Sequence, residues 1–272
     1  MKTALKICSF LTALILTVIL IKKAVPLITD DAQIKVLVSE TLFACTVFVW
    51  FIVFVKLWDR ERLRDSALFP ESSIVFFLSW GLTFGFCLIF ITYAVSRSTG
   101  ALIAAYHPLE GIGPGKFIVI SVLSTAFAAF WEELAFRGFL LKKLMAGVGR
   151  HKACLIVALI FGLLHLLSPV KSVNIVISTI FSGLLLNYAF LYSENLYFPM
   201  GIHFSWNFFL GKIFYSKHLF EFEFVNKFWA GHKNPEEGVI AITITAVGFL
   251  TILLLRKTLK SMASSDGLSQ KR

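Results

Sequence analysis

An all-α membrane protein, a bundle of about eight transmembrane helices, is the fold class this chain predicts, and three observations carry it. Of its 272 residues, 57% are apolar and 15% charged, with a mean hydropathy of +0.81. Several apolar runs exceed the roughly 18 residues that mark a membrane-spanning helix. The basic residues gather at the ends of those runs, as the flanks of membrane spans do. A net charge of +10 would suggest nucleic acid in a soluble protein, but here it points to anionic lipid and to orientation, with no nucleic-acid partner. Cys8, Cys45, Cys87 and Cys154 lie in or beside apolar runs without a C-x-x-C pair, so no disulfide framework or zinc knuckle is indicated.

The runs fall in order along the chain. Span 1 covers about 5–21; Lys22 and Lys23 follow it and no small-residue cleavage site appears, so it reads as a retained anchor. Span 2 covers about 36–57 and precedes a charged loop, Asp59 to Asp65, read as solvated. Span 3 covers about 74–95. A connection follows, ending in Gly111-Ile112-Gly113-Pro114-Gly115, whose glycines and proline stop helices. Span 4, about 117–141, carries acidic residues. Span 5, about 153–167, is closed by Ser168-Pro169. Span 6 covers about 173–192. Span 7 starts near Pro199, a residue favoured at the first helical position, and ends near Phe214. A polar and aromatic loop, span 8 over about 239–255, and a basic, serine-rich tail with a disordered end complete the chain. This divides the chain into N-terminal spans (1–115), a core (116–215) and a last loop, span and tail (216–272).

Eight spans place both termini on one side. Fifteen basic residues then lie on the side of the termini and ten on the other, so the positive-inside rule puts both termini in the cytoplasm.

Span 4 holds the chemistry. Within it, Glu132, Glu133 and Arg137 interrupt an apolar run, and a charge at a helix centre costs roughly 2.5–3.5 kcal/mol. Such residues mark a functional site or a structural polar knot. Glu133 and Arg137 are one turn apart and can pair. Glu132 lies about 100° round the helix with no cation in its span, which suits a general base. Two further spans supply polar groups: Phe161 and His165 on span 5, and His203 and Asn207 on one face of span 7. Counting at 1.5 Å per residue puts Glu132, His165 and His203 in one layer of the inner half of the membrane, roughly 10–20 Å from its cytoplasmic edge. His107, His151, His218 and His232 read as solvated or interfacial.

Glu-Glu-x-x-x-Arg, Phe-x-x-x-His and His-x-x-x-Asn, in that order on separate apolar runs, resemble the CPBP family of CAAX proteases and bacteriocin-processing enzymes, which includes the Ras-converting endopeptidase. The resemblance covers about 116–210 and implies an intramembrane endopeptidase. By that resemblance Glu132 activates a water with help from His165, Glu133 and Arg137 hold the helix and orient the site, and His203 and Asn207 stabilise the oxyanion. No cofactor is expected. Zinc held by Glu132, His165 and His203 is the minority alternative, since H-E-x-x-H is absent and ligation would consume the base. The partners implied are the lipid bilayer and a peptide or protein substrate, in a multi-pass protein of a bacterial plasma membrane. An ion-relay transporter or a non-proteolytic scaffold or immunity protein is the competing class. No repeat symmetry favours a transporter.

Overall fold

The computed structural model describes residues 2–63, 66–106, 113–167, 172–216, 219–232 and 234–269. Its helices are α1 (Lys2–Ala24), α2 (Ala32–Val53), α3 (Ile74–Ser98), α4 (Pro114–Glu133), α5 (Lys142–Val148), α6 (Arg150–Leu164), α7 (Val173–Ser193), α8 (Tyr197–Phe208), α9 (Lys227–Ala230), α10 (Val239–Leu254) and α11 (Arg256–Ser269). The polytopic all-α reading holds. Among the described residues five helices are long and apolar enough to cross a membrane, or six if α10 and α11, bent by 55°, form one span; the expected count of eight is not reached. The expected spans 5 and 7 are shorter than a span on their own. At 1.5 Å per residue, 15-residue α6 reaches only about 22 Å of a roughly 30 Å hydrocarbon core. α8 has 12 residues and continues through a π-helical stretch, Phe209–Phe214.

Contacts between segments define two ends of the bundle. At one end Asp59 takes Lys6 at 2.5 Å and Lys143 at 2.6 Å, joining the start of α1, the end of α2 and the start of α5. Asp59 is therefore a buried bridge, and the charged loop is not uniformly solvated. Arg64, Asp65, His107, Gly111, Ile112, Ser168, Pro169 and His218 lie outside the described residues. The opposite end carries β1 (Leu102–Tyr106) and β2 (Phe220–Phe224), an antiparallel pair in the register Leu102↔Phe224 to Tyr106↔Phe220. Phe-Glu-Phe-Glu-Phe alternates with the period of two that strands require, a signal hidden by treating 216–238 as loop. The tail also departs from expectation: α11 is helical to Ser269, with Leu259 fully buried against the bundle.

The closest helix crossing is α3 on α8, and glycines permit it. A Cβ added to Gly201 would lie 2.6 Å from the Leu78 carbonyl oxygen, and one on Gly85 would lie 2.5 Å from that of Ile202. Small residues allow such backbone approach where lipid supplies no hydrophobic drive between helices. Pro199 sits in the first turn of α8, where its missing N–H is harmless, although the helix starts two residues earlier than the proline suggested.

Gly201→Val should force α3 and α8 apart and lower stability by about 1–3 kcal/mol. Gly211→Ala, with nothing within 4 Å of the added Cβ, should leave it unchanged. Thermal melts of the purified variants in one detergent check the contrast.

Candidate active site

α4 delivers its two glutamates into different surroundings. Glu133 and Arg137 are fully buried and form the expected pair, with Arg137 Nη1 donating to Glu133 Oε1 at 2.8 Å. The backbone widens into a π-helical stretch, Leu134–Leu141, directly after Glu133. π-turns inside α-helices concentrate at functional sites. Arg137 then reaches α7, where Nε donates to Asn187 Oδ1 at 2.9 Å and Nη2 lies 3.5 Å from the Gly183 carbonyl oxygen. Asn187 in turn donates to the Cys154 carbonyl on α6 at 2.8 Å. Phe161 covers the guanidinium, with its ring centroid 4.8 Å from Arg137 Cζ.

His203 joins the two glutamates. Its Nδ1 lies 2.8 Å from Glu133 Oε1 and its Nε2 lies 3.8 Å from Glu132 Oε2. An ionised carboxylate only accepts, so Nδ1 carries the proton that Glu133 takes. Nε2 then faces Glu132, as a lone pair in the neutral ring or as a donor in the imidazolium. Glu132 is thus not without a cationic partner, as its own span had suggested. With Nδ1 committed to Glu133, Nε2 can donate toward an oxyanion only when the ring is charged.

His165 ends α6. Its ring Nδ1 pairs at 2.8 Å with the Phe161 carbonyl, an acceptor in the last turn that the helix leaves without its usual partner. Asn207 makes no hydrogen bond among the described residues, so its amide does not tie α8 to a neighbour. Glu132, His165, His203 and Asn207 line one cavity of about 100 Å³. Glu236, from the loop before α10, lines it too and accepts from Trp206 Nε1 at 2.8 Å. Asn174 at the start of α7 donates to the Glu237 carbonyl at 2.8 Å, so this loop sits at the β-hairpin end. The cavity therefore extends toward the hairpin end from the layer that holds Glu132, His165 and His203.

Three residues of the site were not anticipated. Asn187 and Glu40 are polar groups inside apolar runs, the same signal that drew attention to Glu132. Glu40 accepts from Trp131 Nε1 at 2.8 Å and lies within electrostatic reach of Glu132, His203 and Lys212. Glu236 carries no such signal, because it belongs to a polar loop.

The zinc alternative was tested against these donors. Both histidines have Nδ1 engaged and Nε2 available, the usual arrangement of metal-ligating imidazoles. Yet among the described residues no three His, Cys, Asp or Glu side chains stand at the spacing that holds a metal ion.

Comparison with known proteins bears on the same segment. Residues 114–209 match the family described as type II CAAX prenyl endopeptidase Rce1-like. Over this segment the chain is similar to the Rce1-like CAAX proteases. The match runs from the first residue of α4 to just past α8, in agreement with the three motifs. It leaves α1 to α3 and α9 to α11 outside. No curated protein and no solved structure matches the chain.

Arg137→Ala should strand Glu133 in the interior and cost about 3–5 kcal/mol. Asn187→Ala should cost about 1–3 kcal/mol, since it leaves the buried Arg137 Nε without its acceptor. Yields of folded protein on size exclusion, followed by thermal melts, order the two effects.

Proposed function

We propose that this protein is an intramembrane endopeptidase that hydrolyses a peptide bond with a water activated by Glu132. The observation that supports this reading is the convergence of Glu132, His165, His203 and Asn207 on one cavity within the Rce1-like segment. Glu132 makes no hydrogen bond among the described residues, so its carboxylate is available to take a proton from water. The hydroxide attacks the scissile carbonyl carbon. The Asn207 amide donates to the developing oxyanion, and charged His203 adds Nε2–H. Glu132, aided by His165, returns the proton to the leaving amine as the C–N bond breaks. Glu133 and Arg137 act through His203, holding its Nδ1–H so that Nε2–H is turned toward Glu132 and the cavity.

The substrate of this reading is a membrane-associated peptide or the tail of a membrane protein. The basic residues favour cytoplasmic termini in a bacterial plasma membrane.

Glu132→Gln should lower turnover of a fluorogenic peptide by 10²-fold or more, the scale on which general base catalysis contributes, with the fold intact. Asn207→Ala should lower kcat by about 10²–10³ with little change in KM, since an oxyanion donor acts on the transition state. Wild-type kcat in Asn207→Ala at matched folded concentration removes the oxyanion assignment. Turnover should also survive a metal chelator, and loss of activity restored by zinc would replace the metal-free mechanism.

A further inference from the structure

We infer that the end of the bundle bearing the termini holds a binding site for the phosphate of a phospholipid headgroup, separate from the active-site cavity. A cavity of about 640 Å³ opens there between the 66–72 loop, the start of α6, the end of α7 and α11. Lys142, Arg150 and Lys260 line it. None of the three forms an ion pair among the described residues, although Lys6 and Lys143 at the same end are both paired. Lys260 rests over the Tyr192 ring, its Nζ 5.6 Å from the centroid, which holds the ammonium at the cavity wall. Two carboxylates, Glu71 and Glu194, share the lining, so the cations are in excess by one.

Position identifies the occupant. Lys142 follows the apolar stretch of α4 and its π-helical extension, and Arg150 opens α6, so both lie where a span leaves the hydrocarbon. α11 turns by 55° from α10 and buries Leu259 while exposing Lys257 and Lys260, the pattern of a helix lying along the interface. Basic pockets between helices at this depth suit lipid phosphates, whose acyl chains remain in the bilayer. A diacyl phosphodiester meets Lys142, Arg150 and Lys260 with its phosphate, while Glu71 and Glu194 face the polar remainder of the headgroup.

The test uses full-length protein in nanodiscs of phosphatidylcholine with increasing phosphatidylglycerol, and native mass spectrometry to count retained lipid. Each of Lys142→Gln, Arg150→Gln and Lys260→Gln should weaken phosphatidylglycerol retention about fivefold, the ratio matching roughly 1 kcal/mol per basic residue. A control triple variant outside the cavity, Lys152→Gln with Arg256→Gln and Lys257→Gln, should change retention much less. Equal losses in the two sets would overturn the site in favour of general surface charge. Displacement of the lipid by millimolar inorganic phosphate at constant ionic strength would instead assign the cavity to a free anion. Photo-crosslinking of a diazirine-bearing phosphatidylglycerol to the wild-type protein needs no variant to fold. Crosslinks should map to 66–72 and 190–194, and crosslinks confined to other segments would refute the proposal. None of these readouts depends on proteolysis.

Discussion

A single carboxylate oxygen, Oε1 of Glu133, organises the interior. It accepts from Arg137 on its own helix and from His203 on α8. Arg137 carries the connection to Asn187 and Gly183 on α7, and Asn187 passes it to the Cys154 carbonyl on α6. Four helices are thus joined by one ion pair and its satellites. Burying these charges is expensive, and the cost is offset only because nearly every donor has an acceptor. Within a bilayer, no water competes for those partners, so the network selects one arrangement of the helices.

Adjacent glutamates acquire opposite roles from this arrangement. Glu133 is sealed and accepts twice at Oε1, whereas Glu132, one residue earlier, lines the cavity and among the described residues lies nearest a charged partner at the far nitrogen of His203, 3.8 Å away. Environment sets apart two identical side chains, as it does in enzymes that divide acid and base work between neighbouring carboxylates. His203 is the hinge of that division, since one ring nitrogen belongs to each glutamate.

Helical spacing made part of this legible beforehand. Glu133 and Arg137 had to share a face, and so did His203 and Asn207, because four residues complete roughly one turn. That the three motifs meet in one cavity also followed from their similar depth in the membrane. What escaped were contacts between distant segments. Nothing in span 4 reports that His203 approaches Glu132, or that Glu236 arrives from a loop. Glu40 and Asn187 broke apolar runs as plainly as Glu132 did, but without a neighbouring charge at helical spacing to single them out. The hairpin was missed because alternation in 220–224 was outweighed by the polar residues around it. The apolar runs of α6 and α8 were about as long as expected but too short for a span on their own, and α6 gives way at His165, whose ring Nδ1 pairs with the carbonyl of Phe161.

The glycine contact between α3 and α8 bears on how portable the family-matched segment is. His203 and Asn207 are placed by a helix that lies against the backbone of α3, and backbone atoms cannot readjust as side chains can. Yet α3 falls outside the segment that matches the family. The recognisable domain is therefore smaller than the mechanical unit. Moving residues 114–209 into another membrane scaffold would carry over the reactive groups while losing the surface against which α8 is aligned. A workable chimera has to begin upstream, with Gly81 and Gly85 included.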